Sequence, residues 1–183
     1  MQWKKNMQPV DWSCMSDILI EDEEGDIRPM SEPYFKATPL AEGVWQVLSD
    51  GDYSYAVEGD EELVVIDGGM GAGNIRAFCQ SLCSEKPLYR MLLTHSHFDH
   101  TPNGYLFDAV YMHEKTYPNR NKPMAEFAQR ADKISFPDDY PVVFLKEGDV
   151  IDLGSRKLEV LNIEEHCQGS LQFLDRKSRI LFC

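Results

Sequence analysis

Seven consecutive residues, Thr94-His95-Ser96-His97-Phe98-Asp99-His100, constrain this chain more than any other stretch. Three imidazoles and one carboxylate fall within six positions, in a chain that has only five histidines. The apolar run Met91-Leu92-Leu93 leads in, and the helix-compatible Thr101-Pro102-Asn103-Gly104 follows. A buried strand must therefore end where these side chains begin. Residues two apart at a strand end point the same way, so His95 and His97 can reach one ion together. Where the chain turns, Asp99 and His100 swing toward a second position. Imidazole nitrogen and carboxylate oxygen are donors that borderline divalent ions such as zinc prefer. The bland alternative is a loop whose rings bond only backbone groups. Donor density at this spacing favours metal.

At 183 residues the chain is long enough for one domain with a sizeable core. Its 18 basic and 31 acidic residues give a net charge of −13. Such a surface repels phosphate backbones and anionic membranes, so nucleic acid is disfavoured as a partner and a small molecule is favoured. No run approaches the roughly 20 apolar residues that span a bilayer. The start, Met1-Gln2-Trp3-Lys4-Lys5-Asn6, leads into no apolar signal core, which points to the cytoplasm. Five cysteines without a C-x-x-C pair fit reduced thiols. A homo-oligomer is compatible with all of this.

Residues 1–37 lack a core pattern. Positions 17 to 32 carry seven acids against the single base Arg28, and the stretch reads as a solvated leader or arm. The folded domain is expected over 38–183. Strands are expected at Val44 to Leu48, Tyr53 to Glu58 and Leu63 to Ile66, the last running into Asp67-Gly68-Gly69. A helix over about Asn74 to Ser84 follows, with Ile75, Phe78, Cys79 and Leu82 inward. A buried strand, Leu88 to Thr94, then delivers the histidine cluster. Beyond it come a brief helix, a strand at Ala109 to Met112, and an exposed helix over 122 to 132. A meander from Val142 to Leu161 and a hairpin of Leu171 to Leu174 with Ile180 to Phe182 complete the pattern. Strands at both ends with interspersed helices argue a mixed α/β (α+β) layered sandwich.

His166 lies on a strand-to-strand loop, Glu164-Glu165-His166-Cys167-Gln168-Gly169-Ser170. Glycine there allows close backbone approach, which suits a third ligand from a distant part of the chain. His113, after a strand, reads as a core histidine or one supporting a ligand.

In this order, Val65-Ile66-Asp67-Gly68-Gly69, then Thr94 to His100, then His166-Cys167-Gln168-Gly169-Ser170, the chain resembles the metallo-β-lactamase fold superfamily of metallohydrolases, in particular its glyoxalase II-like branch. The likeness covers about Thr38 to the last residue. It implies an αββα sandwich and the following roles. His95, His97 and His166 would form a first metal site, and Asp99 and His100 would supply a second. Asp99 would also orient the attacking water and take its proton. Asp67 would orient a ligand by hydrogen bonding. One or two zinc ions are implied, with iron or manganese also acceptable to imidazole. Because oxygen-reducing di-iron members carry Glu where His97 stands, the resemblance favours hydrolysis of a small ester, thioester, lactone, lactam or phosphodiester.

The sequence departs from the family pattern in two places. In the family, the strand matching Arg179 to Cys183 is followed by Gly-Asp, whose aspartate bridges both metals, and later by another histidine. On that pattern the chain is expected to be an amino-terminal portion, its first site complete and its second deficient, which keeps a catalytically impaired metal-binding protein as the alternative. Near His166, Asn162-Ile163-Glu164-Glu165 replaces His-Thr-Pro-Gly, and Cys167-Gln168 replaces Thr-Pro. Glu165 is expected to face solvent.

Overall fold

A computed structural model of the chain describes residues 19–21, 27–29, 35–49, 52–69, 71, 73–83, 85–120, 137–164 and 166–183. Within the acidic arm, β1 (Leu19–Glu21) pairs antiparallel with β2 (Ile27–Pro29). The expected helix over 122 to 132 and the orientation of Glu165 lie outside the described residues.

Seven strands form the first sheet, in chain order: β3 (Lys36–Ala41), β4 (Val44–Ser49), β5 (Asp52–Glu58), β6 (Leu63–Ile66), β7 (Leu88–Leu92), β8 (Ala109–His113) and β9 (Val142–Leu145). The first four pair antiparallel, each with the next in the chain. From β6 onward the pairing is parallel. The parallel part needs crossovers, and the first is α1 (Ile75–Leu82). Asn74 caps this helix by accepting the Ala77 N–H at 2.9 Å, a contact type worth about 1 kcal/mol. The fully buried β6, Leu63-Val64-Val65-Ile66, is apolar at every position because both sheet faces are covered there. β3 escaped the sequence reading because Pro39 breaks the strand pattern. It sits on the sheet edge, where a missing N–H costs nothing.

The second sheet is an antiparallel meander of β10 (Val150–Asp152), β11 (Lys157–Asn162), β12 (Leu171–Asp175) and β13 (Ile180–Phe182). Two cores follow from this layering. Ile75, Cys79, Leu63, Val65, Met91 and Phe107 fill the space between α1 and the first sheet. Val44, Val57, Ile66, Leu92, Val160 and Phe173 fill the space between the sheets. Helix, sheet and sheet are thus three layers of the expected sandwich, and the architecture is a sheet-dominated α+β fold.

Boundaries differ modestly from the expected ones. The helix is shorter than Asn74 to Ser84, because Asn74 is its cap. The brief helix after the histidines is a single 3-10 turn, Gly104–Leu106, since Phe107 returns to extended backbone. The strand before the cluster stops at Leu92, so the histidines ride on a loop and not on the strand itself. Cys79, on α1, and Cys83, which caps its end, are both buried, and no disulfide joins the described cysteines.

Candidate metal centre

The parallel strands bring their carboxyl ends to one edge, where crevices form in open α/β sheets. Asp67 leaves β6 there, the histidine loop leaves β7, and the turn of His113 to Thr116 leaves β8. The segments after β6 and β7 are clasped together. Gly68 N–H donates to the His100 carbonyl at 2.7 Å, and Asn103 Nδ2 donates to the Gly68 carbonyl at 3.0 Å. No other residue fits at 68, because a Cβ would stand 1.7 Å from the Pro102 carbonyl oxygen. The neighbouring Asp67 adopts φ 62°, which a short polar side chain tolerates.

His95, His97 and His166 meet at this edge, although His166 is 69 residues beyond His97. Their ring centroids are 4.7, 4.8 and 4.6 Å apart. One ligand atom from each lies within 4.8 Å of the others, and His97 Nδ1 stands 3.0 Å from His166 Nε2. A tetrahedral ion bound by imidazoles at about 2.0–2.1 Å holds its donors about 3.3 Å apart, so small ring rotations suffice. The donor set fits a metal ion.

His95 is prepared for that task by hydrogen bonds. Thr94 Oγ1 donates its one proton to Asp67 Oδ2 at 2.7 Å and stands 2.9 Å from His95 Nδ1. The His95 Nδ1 must then carry the hydrogen and donate to the threonine oxygen, which leaves the Nε2 lone pair free. That Nε2 is buried and has no hydrogen-bond partner among the described residues. Asp67 Oδ1 also accepts the Thr94 backbone N–H at 2.8 Å. Thr94 is the link that sequence reading missed; its only signal was its place immediately before the first histidine.

Asp99 and His100 stand beside the triad but hold each other. His100 Nδ1 is 2.9 Å from Asp67 Oδ2, and its Nε2 is 3.2 Å from Asp99 Oδ2. Burial opposes charge on His100, yet the Asp67 carboxylate, then Asp99, outweigh it and raise the imidazole to about 10. Burial likewise opposes ionisation of Asp99, but the His100 hydrogen bond and charge carry it below its ordinary value. A cation at the second position would have to replace the His100 proton. Asp52, which opens β5, also faces this pair. Burial, then the Asp99 charge, push its carboxyl up to about 6. In the sequence, Ser49-Asp50-Gly51-Asp52 gives no sign of this neighbourhood.

Burial, then the nearby His100 charge, push His95 down to about 4. Burial, then His166, lower His97 as well. Neutral imidazoles are what a metal requires, and these stay neutral at pH 7. The effect on stability has a definite sign. Above the ordinary value of 6.5, His95 is neutral folded and unfolded. As pH falls from 6.5 through about 4, the unfolded chain takes up a proton that the folded site refuses, and stability is lost. His100 acts oppositely: its contribution is complete below 6.5 and is lost as pH rises through about 10. In metal-free protein, the urea midpoint is therefore expected to drop between pH 6.5 and 4, and to drop less in His95→Gln. An equal drop in that variant would remove His95 as the cause.

His113 is 8% exposed and accepts the Lys115 N–H on Nδ1. It packs behind the His166 loop and does not join the triad.

Comparison with known proteins places this geometry in context. The family model described as the metallo-beta-lactamase superfamily matches residues 50–183. The human acyl-coenzyme A thioesterase MBLAC2 is 30% identical over 154 residues, covering 70% of this chain and 55% of the relative. A hydroxyacylglutathione hydrolase of Francisella tularensis is 26% identical over 133 residues, covering 72% of this chain and 46% of the relative. The crystal structure of BJP-1, a subclass B3 metallo-beta-lactamase of Bradyrhizobium japonicum, superposes with a TM-score of 0.57 at 18% identity, covering 80% of this chain and 58% of that one. The chain thus spans about half the length of the curated relatives it matches.

Proposed function

The chain belongs to the metallo-beta-lactamase superfamily, and from that premise we propose that it serves a metal-dependent hydrolase that cleaves small acyl thioesters. The observation that carries the reading is the convergence of His95, His97 and His166, with the His95 Nε2 buried and unpartnered among the described residues. Support for the substrate class comes from the relatives, whose names specify acyl groups carried on coenzyme A or glutathione.

In this reading the three imidazoles hold zinc. The ion, when bound, lowers the pKa of a coordinated water to about 7 and polarises the scissile carbonyl. The chain's own residues do the rest. Asp67, acting through the Thr94 hydroxyl, keeps His95 in the tautomer that presents Nε2. Asp99 is ionised at neutral pH, and its Oδ1 is buried without a partner among the described residues, so it can orient a water and accept its proton. Asp99 and His100 together form the second cation position once the His100 proton leaves. Iron or manganese could occupy the same imidazole set. We take residues 38–183 as the catalytic portion, with Phe35 and the first residues of β3 joined to it by packing and pairing, and the residues before them as the arm. A cytoplasmic setting suits the free thiols of the described residues, and no helix among them is long and apolar enough to cross a membrane.

The test is hydrolysis of an acyl-coenzyme A series by zinc-loaded protein, read by thiol release, with Asp99→Asn beside it. Turnover that falls about 10²- to 10⁴-fold in the variant is expected for loss of a general base. Tightly held zinc with no release from any thioester or ester would instead favour a metal-binding protein without catalysis.

A further inference from the structure

His166 is held differently from the other two imidazoles. His95 is 7% exposed and tied to Thr94, whereas His166 is exposed on its loop. Apart from its edge contacts with the His95 and His97 rings, the exposed His166 ring takes its direction from the loop backbone that carries it. That loop is anchored at its ends, where Ile163 N–H donates to the Ser170 carbonyl and Leu171 N–H to the Thr94 carbonyl. Between them, Gly169 presses on the turn of residues 113–116 at the end of β8. It adopts φ +80°, and a Cβ there would lie 3.0 Å from His113 Nδ1 and 3.1 Å from Thr116 Oγ1. Thr116 is fully buried and donates its hydroxyl to the Gly169 carbonyl at 3.1 Å. An outer strap runs from Lys115 Nζ to Glu164 Oε1 at 2.7 Å, and the same oxygen accepts the Gly169 N–H.

We infer that the 113–116 turn is a clamp that pre-sets the third imidazole, with Thr116 and Gly169 as positioning residues for His166. This rests on the reading that His95, His97 and His166 hold a metal ion. An unclamped loop would have to be ordered by the ion, at the expense of affinity; a clamped one is ordered beforehand. The buried hydroxyl carries the effect, because its loss leaves a carbonyl unsatisfied. The Lys115–Glu164 strap is solvent-exposed and contributes little.

Zinc affinity of the full chain, measured by competition with a chromophoric chelator, tests the clamp. Thr116→Val keeps the shape and removes the donor, and is expected to weaken binding about tenfold, as losses of residues supporting a ligand do. Thr116→Ser is expected to stay within about threefold of the parent, because the hydroxyl is retained. In a His166→Ala background, Thr116→Val is expected to change nothing further. In metal-free protein, amides of residues 163–171 are expected to exchange faster in Thr116→Val. Gly169→Ala carries the same expectation should Thr116→Val fail to fold. Parental affinity in Thr116→Val while His166→Ala loses binding would overturn the clamp, and so would an equal loss in the His166→Ala background. If His166→Ala itself binds zinc normally, it is the metal-site reading that fails.

Discussion

His95→Ala is expected to weaken zinc binding by about a hundredfold or more, the largest effect of any single substitution at this edge. Zinc held by a few protein ligands carries roughly 10–16 kcal/mol of apparent binding free energy at neutral pH, so one ligand accounts for about 3 kcal/mol or more. His95 should bear a full share. Its Nε2 is already bare, its tautomer is fixed by the Thr94–Asp67 pair, and its low proton affinity means that no proton need leave at pH 7. The measurement is chelator competition at pH 7 on parent and variant, with circular dichroism to show that both are folded. A variant that binds zinc within twofold of the parent would remove His95 from the site. Asp67→Asn makes a useful companion, since it leaves the imidazole present while disturbing the carboxylate that both Thr94 and His100 use.

The second large effect concerns stability and lies far from the histidines. Arg156→Ala is expected to destabilise the fold by about 3–5 kcal/mol, the range for removing one partner of a buried ion pair. Arg156 and Asp175 are almost wholly buried, with side-chain exposures of 2% and 0%, and Nη1 meets Oδ2 at 2.5 Å. The carboxylate also accepts the Ser178 hydroxyl at 2.6 Å and the Lys177 N–H at 2.9 Å. The guanidinium reaches across to donate to the Glu42 carbonyl at 2.6 Å. Glu42 lies in the turn between β3 and β4, whereas Asp175 ends β12, so this one side chain joins the two sheets. Alanine would leave a charged carboxylate under the sheets with only neutral donors. Urea unfolding of the metal-free chain reads the loss, and a change below about 1 kcal/mol, the level of an exposed pair, would contradict the buried-pair account.

Much of this was legible in the sequence for stated reasons. The alternation of β5 and β12 and the unbroken apolar run of β6, set off by turn residues, marked these strands, because burial dictates their composition. The histidine string named two members of the triad through its spacing alone. His166 was legible as a candidate third ligand from its strand-to-strand loop and neighbouring glycine, and the resemblance implied the same role. What escaped was whatever depends on long-range contact. Thr94, Thr116 and Asp52 have no local pattern that separates them from any other turn residue. Their roles arise from partners 27 to 53 positions away, or from charges brought near by the sheet. The mutual capture of Asp99 and His100 was hidden for the same reason: adjacency in sequence does not say that two side chains will turn toward each other.

The most direct test of the whole account is the zinc absorption-edge fine structure of the full chain loaded with one equivalent of metal. Three imidazole nitrogens at about 2.0–2.1 Å, with one further oxygen or nitrogen donor, are the expected shell. A shell with sulfur at about 2.3 Å, or with fewer than two imidazoles, would contradict it.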